Sequence, residues 1–347
     1  MRTRVLGVVA VLGIGALALG GCTSSGSGSA SSTSSPGGAS LQTNYEDVIA
    51  SVMPSVVEIT SPSSLGTGEI LDTQGDIVTN NHVVAGSDTY TVTLSTSGEG
   101  FAATLVSRFP QGDLAVIKLT NPPSGLKPVT WADSSKAAVG QIVLAMGNPI
   151  GLSSSSTDGI ISATGRTVTE PKSENTPAAT LTDMIQTSAE INSGNSGGAL
   201  VDLNGHVVGI PTLTAVDQNL GGAHPGIGFA IPSNEAKRIA DQIVTHGKVV
   251  DSGLASLGIT GRTVIDSNAN PVGVGVVEVT SGGPAANAGI VPGDLITSVD
   301  KVQITSMEAL SALLATLSPG QKVPVGFTEA NGTKSTVEVT LGTLQVS

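Results

Sequence analysis

Cysteine, aromatic residues and positive charge are all scarce in this 347-residue chain, which has one cysteine, one tryptophan, two tyrosines and four phenylalanines. A lone cysteine cannot close a disulfide within the chain, and it excludes the zinc sites built on paired cysteines. With 15 Lys and Arg against 27 Asp and Glu, the net charge is -12, and no basic run interrupts the sequence. Nothing therefore supplies the positive field that a phosphate backbone requires, so nucleic acid is excluded as an expected partner. Phosphate-binding loops, calcium loops and other cofactor motifs are likewise missing. What is plentiful is small: 45 glycines, and a hydrophobic share of 39%. A core of Val, Ile, Leu and Ala with many tight turns favours short strands and argues against wholesale disorder.

The first residues read as an export signal and not as fold. Arg2 and Arg4 precede an apolar run from Val5 to Gly21 that ends in small residues before Cys22, the layout of a secretory signal. Leu19 to Cys22 resembles the lipobox of bacterial lipoproteins, which implies lipidation of Cys22 after removal of residues 1–21 and attachment to a membrane outside the cytoplasm. An uncleaved anchor and a plain signal remain alternatives. Residues 22–43 are rich in Ser, Gly and Thr, a flexible tether that cannot bury a core. Folding is expected to begin near Tyr45.

From there β-branched runs recur between Gly, Asn, Asp and Pro: Val56–Ile59, Ile77–Thr79, Tyr90–Leu94, Ala115–Leu119, Ile142–Met146 and Val207–Ile210. That spacing predicts an all-β barrel or sandwich. A helix over Asn234–Val244, with Ser233 as its cap and Gly247 as its stop, closes the domain at residues 44–248. Residues 251–347 carry strand patterns near Gly273–Val279, Leu295–Val299, Val323–Phe327 and Ser335–Leu341, and a helix at Ser306–Leu317. They form a second, smaller α+β unit.

Three local patterns carry chemistry. His82 stands in TNNHVV after a strand, Asp113 opens the apolar strand of GDLAVIKL, and Ser196 lies among glycines in GNSGGAL. Singly each has an ordinary structural explanation: a surface histidine, a strand cap, a glycine-rich turn. Together they supply what acyl transfer by a serine requires. A hydroxyl is a weak nucleophile, an imidazole must take its proton, and a carboxylate must hold the imidazole's tautomer. The backbone N–H groups of Gly194 and Ser196 are the expected donors to the oxyanion.

These patterns, with MGNPIGL at Met146–Leu152, the run from Ile185 to Ile210 and GIGFAIP at Gly226–Pro232, closely resemble the HtrA family of envelope serine proteases. Leu257–Ile259, Gly282–Asp300 and Val337–Gly342 resemble the PDZ domain that follows the protease in that family. The resemblance implies a mainly β chain, a trypsin-like double β-barrel followed by a small α+β PDZ domain. It assigns His82, Asp113 and Ser196 as base, orienter and nucleophile, with no metal and no cofactor. It also implies a primary specificity pocket at Ile210, Ile227, Gly228 and Phe229. No acidic residue lies there, so small apolar side chains are expected and Lys or Arg are not.

Leu257, Gly258 and Ile259 match the loop that captures a peptide's C-terminal carboxylate, although Ala255 and Ser256 stand where the family carries a bulky aromatic. The resemblance further implies unfolded or damaged proteins as substrates, C-terminal peptides as regulators, a homotrimer assembled near Tyr45, and switching loops at Ser153–Leu181 and Thr212–Gly226. His206, in the Asn204-Gly205 hairpin, is expected to be solvated. Glu69 stands where an apolar strand residue is expected, so it must face solvent or find a partner. A non-proteolytic chaperone or PDZ scaffold stays open beside the protease, as does a narrow processing protease.

Overall fold

The computed structural model describes residues 36–62, 64–148, 155–170, 179–192, 194–217 and 222–346. The chain divides into residues 1–41 and Gln42–Ser347, and the packing described below lies within the second unit. A helix α1, Pro36–Val52, comes first, followed by β1 (Val56–Ser61), β2 (Ser64–Ile70), β3 (Asp76–Thr79), the single turn α2 (Asn81–Val84), β4 (Thr89–Leu94), β5 (Gly100–Phe109) and β6 (Leu114–Leu119). These six strands close a barrel in the order β1-β2-β3-β6-β5-β4.

A second closed barrel uses β7 (Ile142–Gly147), β8 (Ser155–Glu170), β9 (Ala179–Thr187), β10 (Ala199–Val201), β11 (Val207–Asp217) and β12 (Gly222–Pro232), in the order β10-β11-β12-β9-β8-β7. After α3 (Ser233–His246) come β13 (Ala255–Ser256), β14 (Ile259–Ile265), β15 (Pro271–Val279), α4 (Pro284–Asn287), β16 (Leu295–Val299), β17 (Val302–Gln303), α5 (Met307–Ala315), β18 (Lys322–Thr328), β19 (Lys334–Thr340) and β20 (Gly342–Thr343). Strands β14-β15-β16-β18-β19 form one antiparallel sheet. The double β-barrel followed by a smaller α+β domain is the architecture expected from the sequence.

Alternation along single strands explains how a chain with so few aromatics fills several cores. On β6, Ala115, Ile117 and Leu119 join the interior of the first barrel, while Leu114 and Val116 turn outward to the layer closed by α3. On β7, Val143 and Ala145 fill the second barrel, and Leu144 and Met146 pack with Val48 and Val52 of α1. A period of two thus feeds two layers from one strand. Helix α3 buries Ala236, Ile239, Ala240 and Ile243, the spacing of one helical face. Each buried isoleucine there contributes about 1.5–3 kcal/mol of transfer free energy.

Three expectations are corrected. Residues 36–43, read as tether, already belong to α1, because one helical register, anchored where Val48 and Val52 are buried, runs back to Pro36. Ser233 is not the cap of α3: it is the first helical residue, and its hydroxyl donates to the Ala132 carbonyl at 2.8 Å. Gly247, by contrast, terminates the helix in the left-handed region, φ 72°.

Within Ser153–Leu181 and Thr212–Gly226 the described residues are strand and not irregular loop. They are arms of the hairpins β8–β9 and β11–β12, with Glu170 opposite Ala179 and Asp217 opposite Gly222. Ser- and Thr-rich strands pair through backbone without needing an apolar face. The signal segment, Cys22 and most of the tether lie outside the described residues.

Candidate active site

Asp113 is the centre from which the site is built. It follows the short turn Pro110–Gly112 in the left-handed conformation, φ 49° and ψ 42°, a region that Asp tolerates better than most residues. Its carbonyl accepts from the Asn80 side chain at 3.0 Å and from the Asn81 N–H at 3.1 Å. Its carboxylate accepts from the His82 N–H at 3.0 Å and pairs with His82 Nδ1 at 2.9 Å. The Thr212 hydroxyl donates to the same carboxylate oxygen, Oδ2. Asp113 is fully buried, and these donors replace the water it has lost. With Nδ1 donating to Asp113, the basic nitrogen of His82 is Nε2.

Thr212 extends this arrangement to the serine. Its carbonyl accepts the Ser196 hydroxyl at 3.3 Å while its own hydroxyl holds Asp113. Ser196 also reaches the Asn192 carbonyl at 3.3 Å. The glycines after it are required by close approach: a Cβ on Gly197, φ +80°, would lie 2.3 Å from the Thr67 carbonyl, and one on Gly198 2.2 Å from that of Met146. The serine turn is thereby wedged between the two barrels, with the Thr67 hydroxyl on the Gly194 carbonyl at 2.8 Å and the Thr67 N–H on the Ser196 carbonyl at 3.1 Å.

The two expected oxyanion donors do not converge on a common point in this conformation. Gly194 N–H donates to Asn192 Oδ1 at 2.9 Å, and Ser196 N–H to the Asn192 carbonyl at 3.3 Å. The reason is local: Asn192 N–H is itself fixed on Asn195 Oδ1 at 2.9 Å, which curls the segment so that its N–H groups find partners inside the turn. Among the described residues no three His, Cys, Asp or Glu side chains gather as a metal site would require.

Residues 66–210 match the trypsin-like peptidase domain family and residues 227–341 the PDZ domain family. The chain is 40% identical to serine protease PepD of Mycobacterium tuberculosis over 86% of this chain and 66% of PepD. It is also 40% identical to serine endoprotease DegS of Escherichia coli, over 76% of this chain and 72% of DegS. The chain belongs to the HtrA-type serine proteases.

A solved HtrA-type protease, AlgW with a decapeptide, superposes with a TM-score of 0.56 at 32% identity, covering 87% of this chain and 99% of that one. The HtrA-type chain spans 54% of the length of the periplasmic serine endoprotease DegP of Escherichia coli, and 66% of that of PepD.

The four residues expected at the specificity pocket separate. Ile210 and Phe229 belong to the buried cluster closed by α3, and Ile227 packs against it; alternation on β11 and β12 turns their side chains into that layer. Gly228 alone adjoins the serine segment, where a Cβ would lie 2.3 Å from Ile191. Ile191, five positions before the serine, is the apolar side chain that sequence reasoning missed. Thr212 and Asn80 were missed too, since nothing local marks their partner. Asn192 could have been suspected from its repeat with Asn195 inside one glycine-rich run.

His206 sits as expected at the β10–β11 hairpin, 44% exposed and 3.9 Å from Asp202. At the second domain, Leu257 is buried, Gly258 is left-handed with φ +68°, and Gly258 N–H donates to Ser256 Oγ at 2.9 Å.

Glu69 takes neither option that the sequence left it. It lies opposite Val56 on β1 and Val78 on β3, facing the layer between the barrels, fully buried and with both carboxyl oxygens unpartnered. Burial pushes its carboxyl well above the usual value of 4.5, because the charged form loses its hydration without compensation.

Proposed function

We propose that this chain is a serine endopeptidase of the cell envelope that cleaves unfolded or damaged proteins through an acyl-enzyme, with His82, Asp113 and Ser196 as its triad. The observation that carries the reading is the continuous path from His82 through Asp113 and Thr212 to Ser196. Ser196 Oγ attacks the scissile carbonyl carbon while His82 Nε2 takes its proton. The tetrahedral species collapses as His82 returns that proton to the leaving amine. Water then attacks the ester by the same route. Asp113 stabilises the imidazolium and keeps the ring's orientation.

For the oxyanion to be held, Gly194 N–H must leave Asn192 Oδ1. That occupied state supports a resting form with little activity, and it is the specific observation behind a second reading: a binding protein or chaperone that retains its triad. Capture of C-terminal peptides by the PDZ domain, suggested by the relative solved with a decapeptide, is the proposed means of release. The apolar surroundings that Gly228 and Ile191 give the serine segment support cleavage at small apolar residues. Lipid attachment at Cys22 and assembly as a homotrimer near Tyr45 complete the proposal.

Cleavage of casein by the chain beside its Ser196→Ala variant, with and without hydrophobic C-terminal peptides, tests it. Turnover confined to the unmutated chain supports the protease. Binding of casein without turnover under either condition supports the second reading.

A further inference from the structure

The groove between β14 and α5 is not built by the PDZ domain alone. Leu257, Ile259, Leu310 and Leu314 form its apolar wall, and Gln111 and Thr180 of the protease domain close the other side of a cavity of about 270 Å³. Strand β14 is the edge of its sheet, paired only with β15, so its other side offers unpaired backbone groups. An unpaired edge beside an apolar cavity fits one occupant: an extended peptide whose apolar terminal side chain enters the cavity and whose backbone adds to the sheet.

Half of that added strand's N–H groups point away from β14 and need acceptors. Gln111 lines the opposite wall, and its Oε1 is buried without a hydrogen-bond partner, an arrangement that costs free energy until a donor arrives. Gln111 also lies in the turn Pro110–Gly112 that immediately precedes Asp113. That turn has little slack. The Asp113 N–H closes on the Pro110 carbonyl at 3.2 Å, and a Cβ on Gly112 would lie 2.5 Å from the Phe109 ring.

We propose that Gln111 is a direct contact for the peptide bound in the PDZ groove and a positioning residue that transmits occupancy to Asp113, and through it to His82. This rests on the peptide-regulated reading above. It differs from that reading in assigning one protease side chain to the groove and one covalent turn to the coupling.

The test uses the full chain carrying Ser196→Ala, so that binding is read without turnover and stands apart from whether the chain cleaves. A fluorescein-labelled decapeptide ending in Ala-Leu-Val is titrated by anisotropy as the free acid and as the C-terminal amide. Gln111→Ala and Gln111→Met, the latter keeping the side chain's length without its acceptor, are expected to weaken the free acid about 5-fold or more. Gln111→Glu, which keeps an acceptor, is expected to stay within about 2-fold.

The ring signals of His82, followed by NMR during the titration, are expected to shift in the Ser196→Ala parent and to stay still in Gln111→Met at peptide saturation. Equal affinity in all variants overturns the contact, and an equal His82 shift in Gln111→Met overturns the transmission. No binding by the parent, or equal binding of the amide, overturns the assigned occupant.

Discussion

Replacing Glu69 by Gln should make the protein more stable, by an amount that depends on pH. Glu69 is buried between the barrels with no partner, and its carboxyl titrates well above 4.5. The folded state therefore holds a proton that the unfolded state releases. A folded pKa raised in this way leaves stability intact below about pH 4.5 and erodes it as pH climbs towards the folded pKa, where the loss levels off. Each unit of pH over which the folded carboxyl keeps its proton is worth up to about 1.4 kcal/mol.

Gln is neutral throughout and nearly isosteric, and other titrating groups largely cancel between the two chains. These include Glu58 and Asp76, which share that side of β1 and β3, and Lys118, paired with Asp76 at 2.6 Å. Urea unfolding followed by the fluorescence of Trp131, the chain's one tryptophan, at pH 4.5, 5.5 and 7 measures the difference. The advantage of Glu69→Gln should be small at pH 4.5 and grow with pH, by at most about 1.4 kcal/mol per unit, until Glu69 itself ionises. Glu69→Leu, which also removes the unmatched polar atoms, should show the same slope. A pH-independent difference in both variants would mean that Glu69 is hydrated or paired in solution, and that its burial without a partner is not what sets its protonation.

Other consequences are equally direct. Thr212→Val removes a donor from buried Asp113 but leaves the Thr212 carbonyl that receives Ser196, so kcat/KM should fall about 10-fold, in keeping with the worth of a hydrogen bond to a charged group; unchanged kinetics would deny the link. Gly197→Ala combines φ +80° with a 2.3 Å approach to the Thr67 carbonyl, and a loss of about 2 kcal/mol or more is expected in urea unfolding. Asn192→Ala frees Gly194 N–H from its present acceptor and should raise casein cleavage in the absence of peptide. A fall in that basal rate, with stability unchanged, would show that Asn192 supports the active form.

How much of this was legible depended on whether the cause was local. The β-branched runs named strands correctly because alternation is a property of neighbours, and Gly247 ended α3 because a left-handed residue is a local demand. His82, Asp113 and Ser196 were grouped into the proposed triad because three ordinary patterns coincided, not because any one of them was decisive. What was missed had distant partners. The Ser233 hydroxyl reaches Ala132, Thr212 holds Asp113 from another barrel, and Ile210 and Phe229 turned to the α3 layer because of their place in the alternation of β11 and β12. The long hairpin β8–β9 was hidden because Ser and Thr strands carry no apolar alternation. Glu69 was recognised as an anomaly, but only the closure of two barrels over it decides its burial.

Covalent labelling reads the nucleophile and its base directly. The chain would be treated with a fluorophosphonate, with and without a hydrophobic C-terminal peptide, and the adduct located by mass spectrometry of the digested protein. The proposed triad gives one adduct, on Ser196, formed faster with peptide and lost in both Ser196→Ala and His82→Ala. Labelling of another serine, or labelling of Ser196 at the same rate without His82, would contradict it.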